Sequence, residues 1–287
     1  MHVRYLIKRN MFLFFSDKSA VFFSMMAIFV VLFLYIAFLG DYMMKPLEIN
    51  FPDYARELSD TWIMAGTLGI ISLTTSLSVL GITIDDRQKR LLDDFKVSPM
   101  TDLQITLAYI VSTFIITFLI SCVTLLLAQS YIFIYGGRIM KAITVLRVLG
   151  IICISTFSCT SMLYVFMSFF KSTTAFSNVT TIIGTLSGFL MGIYVPIGSL
   201  PNFLQVAIRY FPPSHCAVLF REAMMEAVIH DAFAQLPQEA ISQFKEQFGI
   251  HFYYGEYQCT SFYSHIILFF LGTVFFIIAC KQTKKRR

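Results

Sequence analysis

The sequence predicts an all-α integral membrane protein with six transmembrane helices. Hydrophobic residues occupy 57% of the 287 positions and charged residues only 14%, with a mean hydropathy of +0.72. A soluble domain usually carries about a quarter charged residues. The apolar residues gather in six runs, near 20–39, 62–84, 103–135, 146–170, 174–195 and 262–280. Because unpaired backbone polar groups are costly in lipid, runs of this length are expected to be helical.

The runs divide one transmembrane domain, residues 1–287, into segments of different character. In chain order these are an interfacial helix (1–19), five spans (20–195), an outer segment (196–261), a sixth span (262–280) and a basic tail (281–287). The first segment mixes basic and bulky apolar side chains, which is typical of a helix at the membrane surface. The outer segment begins with two predicted short helices, separated at Pro212-Pro213.

Basic residues are divided unequally between the two sides of the membrane. An even number of spans puts both termini on one side, and that side carries fourteen of the 22 Lys and Arg residues, against eight on the other. The positive-inside rule therefore predicts that both termini are cytoplasmic. A basic turn at residues 136–147 is the exception on the outer side. The basic excess thus reflects orientation in a bilayer and does not indicate nucleic-acid binding.

The sequence contains no motif of a known catalytic or nucleotide-binding site. It lacks GxxxxGK[ST], HExxH, GxSxG and paired carboxylates within the spans. Without a phosphate loop the chain has no backbone cradle for ATP, so energy for active transport has to come from a partner. The six cysteines show no metal-ligand spacing. Cys216 and Cys259 both fall in the outer segment, where a disulfide would clamp it to the sixth span.

A charged cytoplasmic loop, residues 85–102, follows the second run. Seven of its residues are candidates for contact with a soluble motor subunit: Asp85, Asp86, Arg87, Leu91, Leu92, Phe95 and Pro99. A short helix ending at Ser98-Pro99 would present charged and apolar side chains to a groove on that subunit. The alternative is a solvated connection between two spans.

A ridge of small residues marks the fifth run. Gly184, Gly188 and Gly192 recur every four residues and would permit close approach of another helix. Together with Thr75 in the second run and Phe189, they are candidates for the translocation path or a dimer seam. Packing within the chain is the alternative.

Three features make the whole chain resemble a type-2 ABC exporter permease. A basic amphipathic segment precedes the first span, and the cytoplasmic loop from Asp86 to Pro99 reads D-R-x-x-x-L-L-x-x-F-x-V-S-P. The outer end of the fifth run has the family's G-x-x-x-P-I-x-x-L-P pattern and the P-x-x-H…R stretch, here Gly192, Pro196, Ile197, Leu200, Pro201, Pro212, His215 and Arg221. The chain departs from the family at Lys89-Arg90, where a small residue, usually Gly, is common.

The resemblance implies re-entrant outer helices that gate the path, with two six-span units driven by two ATPase subunits. ATP and Mg would then be bound by the partner ATPase, and no cofactor is expected in this chain. The second permease half would be an identical or a sister chain. We therefore expect an exporter subunit in a bacterial cytoplasmic membrane that moves a drug, peptide or lipid-like substrate. The alternatives are a membrane-embedded enzyme or protease and a non-transporting sensor or immunity subunit.

Overall fold

A computed structural model describes residues 2–92, 95, 99–170, 172–255 and 257–284, and these residues are almost entirely helical. The helices are α1 (His2–Ser16), α2 (Lys18–Ser24), α3 (Met26–Leu34), α4 (Gly40–Asn50), α5 (Ala55–Gln88), α6 (Asp102–Ile134), α7 (Ala142–Met167), α8 (Thr173–Leu190), α9 (Asn202–Tyr210), α10 (Ser214–Ala232), α11 (Gln238–Gln247) and α12 (Ser261–Lys284). A π-helical turn, Tyr35–Leu39, joins α3 to α4, and a 3-10 turn, Ile197–Ser199, precedes α9. An antiparallel hairpin of β1 (Phe252–Tyr254) and β2 (Tyr257–Cys259) precedes α12.

Four helices in the described part of the chain are long and apolar enough to cross a membrane. They are α5, α6, α7 and the Ser261–Gln282 portion of α12. The bent pair Lys18–Ser24 and Met26–Ala37 makes a fifth candidate if its 43° bend lies within one span. The predicted fifth run forms α8, which is rich in Thr and Ser and is not among these candidate spans. The prediction of an all-α, multi-pass membrane protein is confirmed with four or five candidate spans.

Residues 40–61, which separate the first two predicted apolar runs, are mostly helical. α4 occupies Gly40–Asn50 and α5 begins at Ala55, which leaves only residues 51–54 between them. The first turns of α5 carry charged residues, so the hydropathy profile starts the second run later than the helix begins. These charges nevertheless stabilise the helix. Arg56 Nε lies 3.6 Å from Asp60 Oδ2, one turn further along.

The central element is α5, which packs against α6, α7, α8 and α10. Its hydroxyl groups contact those of its neighbours within the same chain. Ser72 Oγ lies 3.3 Å from Ser155 Oγ of α7, and Ser76 Oγ lies 3.3 Å from Thr117 Oγ1 of α6 and 3.2 Å from Thr160 Oγ1 of α7. Ser76 also donates to the carbonyl of Ser72, at 2.8 Å. The hydroxyl-rich stretch of the second run therefore faces α6 and α7 of the same chain.

The N-terminal segment forms a helix, as predicted, and packs against α6. Leu6, Asn10 and Phe14 recur every four residues and form its buried face. The helix ends before Asp17, whose side chain accepts two backbone amides of the next turn at 3.0 Å and so begins α2. Its location at the membrane surface stays a prediction.

The predicted break at Pro212-Pro213 is present in the outer segment. α9 ends at Tyr210 and α10 begins at Ser214. The Ser214 hydroxyl donates to the carbonyl of Leu190, the last residue of α8, at 2.7 Å. The break thus brings the start of α10 against the end of α8.

Candidate functional site

The first three predicted coupling residues lie in the last turn of α5 and not in a loop. α5 continues through Gln88, beyond the predicted end of the second run. Asp85 is exposed, Arg87 is half-buried, and Asp86 is buried. The helix continues because the side chains after residue 85 find partners on neighbouring elements.

Asp86 is bound by the N-terminal helix. Arg9 makes a bidentate contact with its carboxylate, with Nη1 at 2.5 Å from Oδ2 and Nη2 at 2.8 Å from Oδ1. The Tyr109 hydroxyl of α6 donates to Asp86 Oδ2 at 2.6 Å. Hydrogen bonding to Asp86 raises the pKa of Arg9, so this guanidinium stays charged. Asp86 is therefore a buried, paired carboxylate.

Arg87 extends in the other direction and binds the turn between α7 and α8. Its Nη1 donates to the carbonyl of Phe170 at 2.7 Å and to that of Ser168 at 3.4 Å. The amide of Thr173 donates to Gln88 Oε1 at 3.2 Å, also across this junction. We call Arg9, Asp86, Arg87 and Tyr109 the clamp, because they join the end of α5 to α1, α6 and the α7–α8 turn.

The apolar coupling residues pack mainly inward. Leu92 and Phe95 contact the cluster around Leu6 and Tyr109, and the Phe95 ring centroid lies 5.5 Å from the Arg9 guanidinium. Leu91 is half-buried. The segment after α5 therefore touches both α1 and the clamp.

The backbone has an unusual conformation at Lys89-Arg90, where the chain departs from the family pattern. Arg90 has a φ of +59°, the left-handed conformation that favours glycine. Pro99 is exposed. Residues 93, 94 and 96–98 lie outside the described part of the chain, so the short helix predicted to end at Ser98-Pro99 stays a prediction.

An open groove of about 630 Å³ lies between the bent pair α2–α3, α5 and α8. None of the described residues that line it is charged. Its three threonines, Thr74, Thr181 and Thr185, donate their hydroxyl hydrogens to carbonyls of their own helices at 3.0, 3.0 and 2.9 Å. The groove therefore presents a mostly apolar wall whose threonine hydroxyl hydrogens are already engaged.

The predicted path residues separate into different environments. Gly184 and Phe189 line the groove, and no heavy atom lies within 4 Å of the position a Cβ would take at Gly184. Gly188 is covered by Tyr194, because a Cβ there would lie 2.1 Å from that ring. Thr75 is buried and donates to a carbonyl of α2 at 3.4 Å. Gly188 and Thr75 therefore make contacts within the chain.

The predicted outer gate residues are distributed along the outer segment. Gly192 follows α8 with a φ of +61°. The prolines and Leu200 mark the turns around α9, with Pro196 buried before the 3-10 turn, Leu200 half-buried after it, Pro201 just before α9, and Pro212 in the break. His215 Nδ1 lies 3.0 Å from Ser264 Oγ of α12, and burial lowers the pKa of His215 to about 4. This imidazole is therefore neutral at physiological pH.

Four polar residues of α10, His215, Arg221, Glu222 and Glu226, contact separate partners. Arg221 is fully buried and donates to backbone carbonyls. Glu226 pairs with Arg147, and Glu222 Oε1 lies 3.6 Å from His251 Nε2. Successive polar residues of α10 face different neighbours because they lie on different sides of the helix.

Cys216 and Cys259 are both free thiols, contrary to the predicted disulfide. Cys216 is fully buried and interacts with Cys159 of α7, whereas Cys259 Sγ lies 3.7 Å from Ser264 Oγ. The two side chains face different partners, which sequence position alone could not indicate.

Comparison with protein families accounts for this arrangement. The model of the ABC-2 family transporter protein matches residues 45–281, from within α4 to residue 281 of α12, and this range includes all of the clamp except Arg9. No curated protein matches the chain. The family works in membranes together with an ABC ATPase. The chain therefore belongs to the ABC-2 transporter family and is a multi-pass permease subunit of an ABC transporter.

Proposed function

We propose that this permease exports an amphipathic or hydrophobic substrate, such as a drug, peptide or lipid-like molecule, across a bacterial plasma membrane. The groove between α2–α3, α5 and α8 carries the proposal. Its described lining is uncharged, and its threonine hydroxyls already donate within their helices. An ion would lose hydration there without meeting an opposite charge, whereas an apolar chain would keep favourable apolar contacts.

Energy comes from a separate ATPase subunit that binds ATP and Mg, since the chain has no phosphate loop. Its docking surface includes the exposed residues Asp85, Lys89, Arg90 and Pro99. The clamp then carries the movement to α1 and to the α7–α8 turn. A buried bidentate ion pair suits this role because separating it exposes an unpaired charge.

The bilayer contains six spans, with α2–α3 as one bent span, α8 as another, and both termini in the cytoplasm. The distribution of Lys and Arg supports this orientation. On the outer side, α9 and α10 are the re-entrant gate. A second permease half, identical or a sister chain, faces the groove and the exposed apolar residues Ile182, Leu186 and Phe189 of α8.

Filling the groove tests this function directly. Gly184→Phe adds a ring where a Cβ meets no atom within 4 Å, so the fold is expected to tolerate it. Gly150→Phe is the matched control, because Gly150 of α7 is equally unobstructed but lies outside the groove. Both variants are reconstituted with the ATPase in proteoliposomes, and ATP-driven movement of a fluorescent lipid analogue and of an amphipathic dye is measured.

We expect the G184F variant to bind the ATPase normally and to lose export, while the G150F variant exports like the wild type. Equal export by the two variants would remove the groove from the path. If the wild type binds the ATPase and a substrate but moves none, the non-transporting sensor replaces the exporter.

A further inference from the structure

Two helices at the outer side end in the same way. α8 is followed by Gly192 and α11 by Gly249 one residue beyond their caps, and both glycines have a φ of +61°. Each glycine amide donates to the carbonyl three residues earlier, at 2.9 and 3.1 Å. The next amide donates to the carbonyl five residues before it, at 2.9 and 2.8 Å. These are paired Schellman motifs, which satisfy the last carbonyls of a helix.

One side chain lies between the two glycines. A Cβ at Gly192 would lie 2.5 Å from the Ile197 side chain, and a Cβ at Gly249 would lie 2.4 Å from it. Both positions therefore need glycine for space as well as for conformation. The two helix ends are packed so closely that they share a neighbour.

Arg221 binds both of these glycines. Its Nη2 donates to the carbonyl of Gly192 at 2.7 Å, and its Nη1 donates to that of Gly249 at 3.4 Å. Its guanidinium lies 4.4 Å from the ring centroid of Trp62 in α5, and Trp62 Nε1 donates to the carbonyl of Phe248 at 2.7 Å. A single cation thus joins the ends of α8 and α11 to each other and to α5.

This charge is compensated without a carboxylate. Arg221 is 0% exposed, and none of the ion pairs between described residues includes it. The C-terminal end of a helix carries partial negative charge, and two such ends meet at Arg221. The face of Trp62 adds a cation–π contact. The site needs both helix ends in place, because each supplies part of the compensation.

We propose that Arg221 is a positioning residue that makes α8 and the outer segment move as one unit. If α8 moved alone, the buried guanidinium would lose an acceptor that nothing else replaces, which is costly for a buried charge. Because α8 forms one wall of the groove, a displacement of α8 that widens the groove would also displace α11. The link to export rests on the proposed function, whereas the coupling of the two helix ends does not.

Hydrogen exchange of the full chain in lipid nanodiscs, read by mass spectrometry, tests the coupling. In Arg221→Met we expect exchange at the ends of α8 (188–193) and α11 (245–250) to accelerate together, by about tenfold or more. Arg221→Lys, which keeps the charge but has only one donor centre, should be intermediate. Arg209→Met is the control, because Arg209 is 22% exposed and contacts Gln205 and, in α11, Glu246, so its loss should accelerate exchange at 245–250 at most.

Faster hydrogen exchange at only one helix end, or the same exchange pattern in the R221M and R209M variants, would overturn the proposal. If R221M does not fold, Trp62→Phe decides the question, since it keeps an aromatic ring and removes the indole N–H that donates to the carbonyl of Phe248. Hydrogen exchange should then accelerate at both helix ends, and acceleration at 245–250 alone would refute the coupling. Neither substrate nor ATPase is present, so the result is independent of whether the groove carries an exported molecule.

Discussion

Replacing Arg9 with Met should destabilise the protein, because it leaves the buried Asp86 carboxylate without its cation. Removing one partner of a buried ion pair costs about 3–5 kcal/mol. Two features reduce this cost here: the Arg9 side chain is 31% exposed, and the Tyr109 hydroxyl at 2.6 Å still donates to Asp86. We therefore expect a loss of about 2–3 kcal/mol in the free energy of unfolding.

The assay is denaturant unfolding in detergent micelles, with a double-mutant cycle. Asp86→Asn removes the charge that Arg9 compensates, so the double variant should be more stable than the sum of the single effects predicts, by about 1–2 kcal/mol. Arg4→Met, on an exposed position of the same helix, controls for general effects on α1. In proteoliposomes the R9M variant should still bind the ATPase but export less for each ATP hydrolysed.

Additive effects in the cycle, or equal stability of the R9M and R4M variants, would refute this reasoning. Asp86 would then be available for docking, as the loop interpretation of the sequence has it. A D86N variant that stays stable but no longer binds the ATPase would lead to the same conclusion.

Two further predictions concern single positions. Arg90→Gly should raise the free energy of unfolding by about 1 kcal/mol, because Gly adopts the left-handed conformation without steric cost, and Arg90→Ala should give no gain; equal stability of both would contradict this. Because Cys216 and Cys259 are free thiols, the protein should have the same mobility on reducing and non-reducing gels. A maleimide should label the buried Cys216 only after unfolding; a reducible band would restore the disulfide.

The sequence predicted the features that depend on local composition. Long apolar runs gave the helices α6, α7 and α12 to within a few residues of their observed ends, and Pro212-Pro213 gave the break between α9 and α10. The bounds of α5 were less accurate at both ends. A hydropathy window excludes Arg56 and Asp60, although their contact one turn apart supports the helix.

Features that depend on distant partners could not be predicted. Asp86 looked like an exposed docking charge because its partner, Arg9, lies 77 positions earlier in the chain. The three glycines of the fifth run formed one ridge in the sequence. In the structure Gly184 faces open space, Gly188 is covered by Tyr194, and only Gly192 needs its positive φ.

The hydroxyl contacts between α5, α6 and α7 bear on how this bundle can change shape. Ser76 uses its hydrogen within its own helix, so its contacts to Thr117 and Thr160, at 3.3 and 3.2 Å, depend on hydrogens from the opposing threonines. Such interhelical bonds contribute on average only about 0.6 kcal/mol. Buried hydroxyls nearby, including those of Ser121, Thr156 and Ser161, make no hydrogen bond and are alternative partners. A small sliding of these helices past one another would exchange one weak contact for an equivalent one, so shear along this seam is energetically inexpensive while the clamped ends move as rigid pieces.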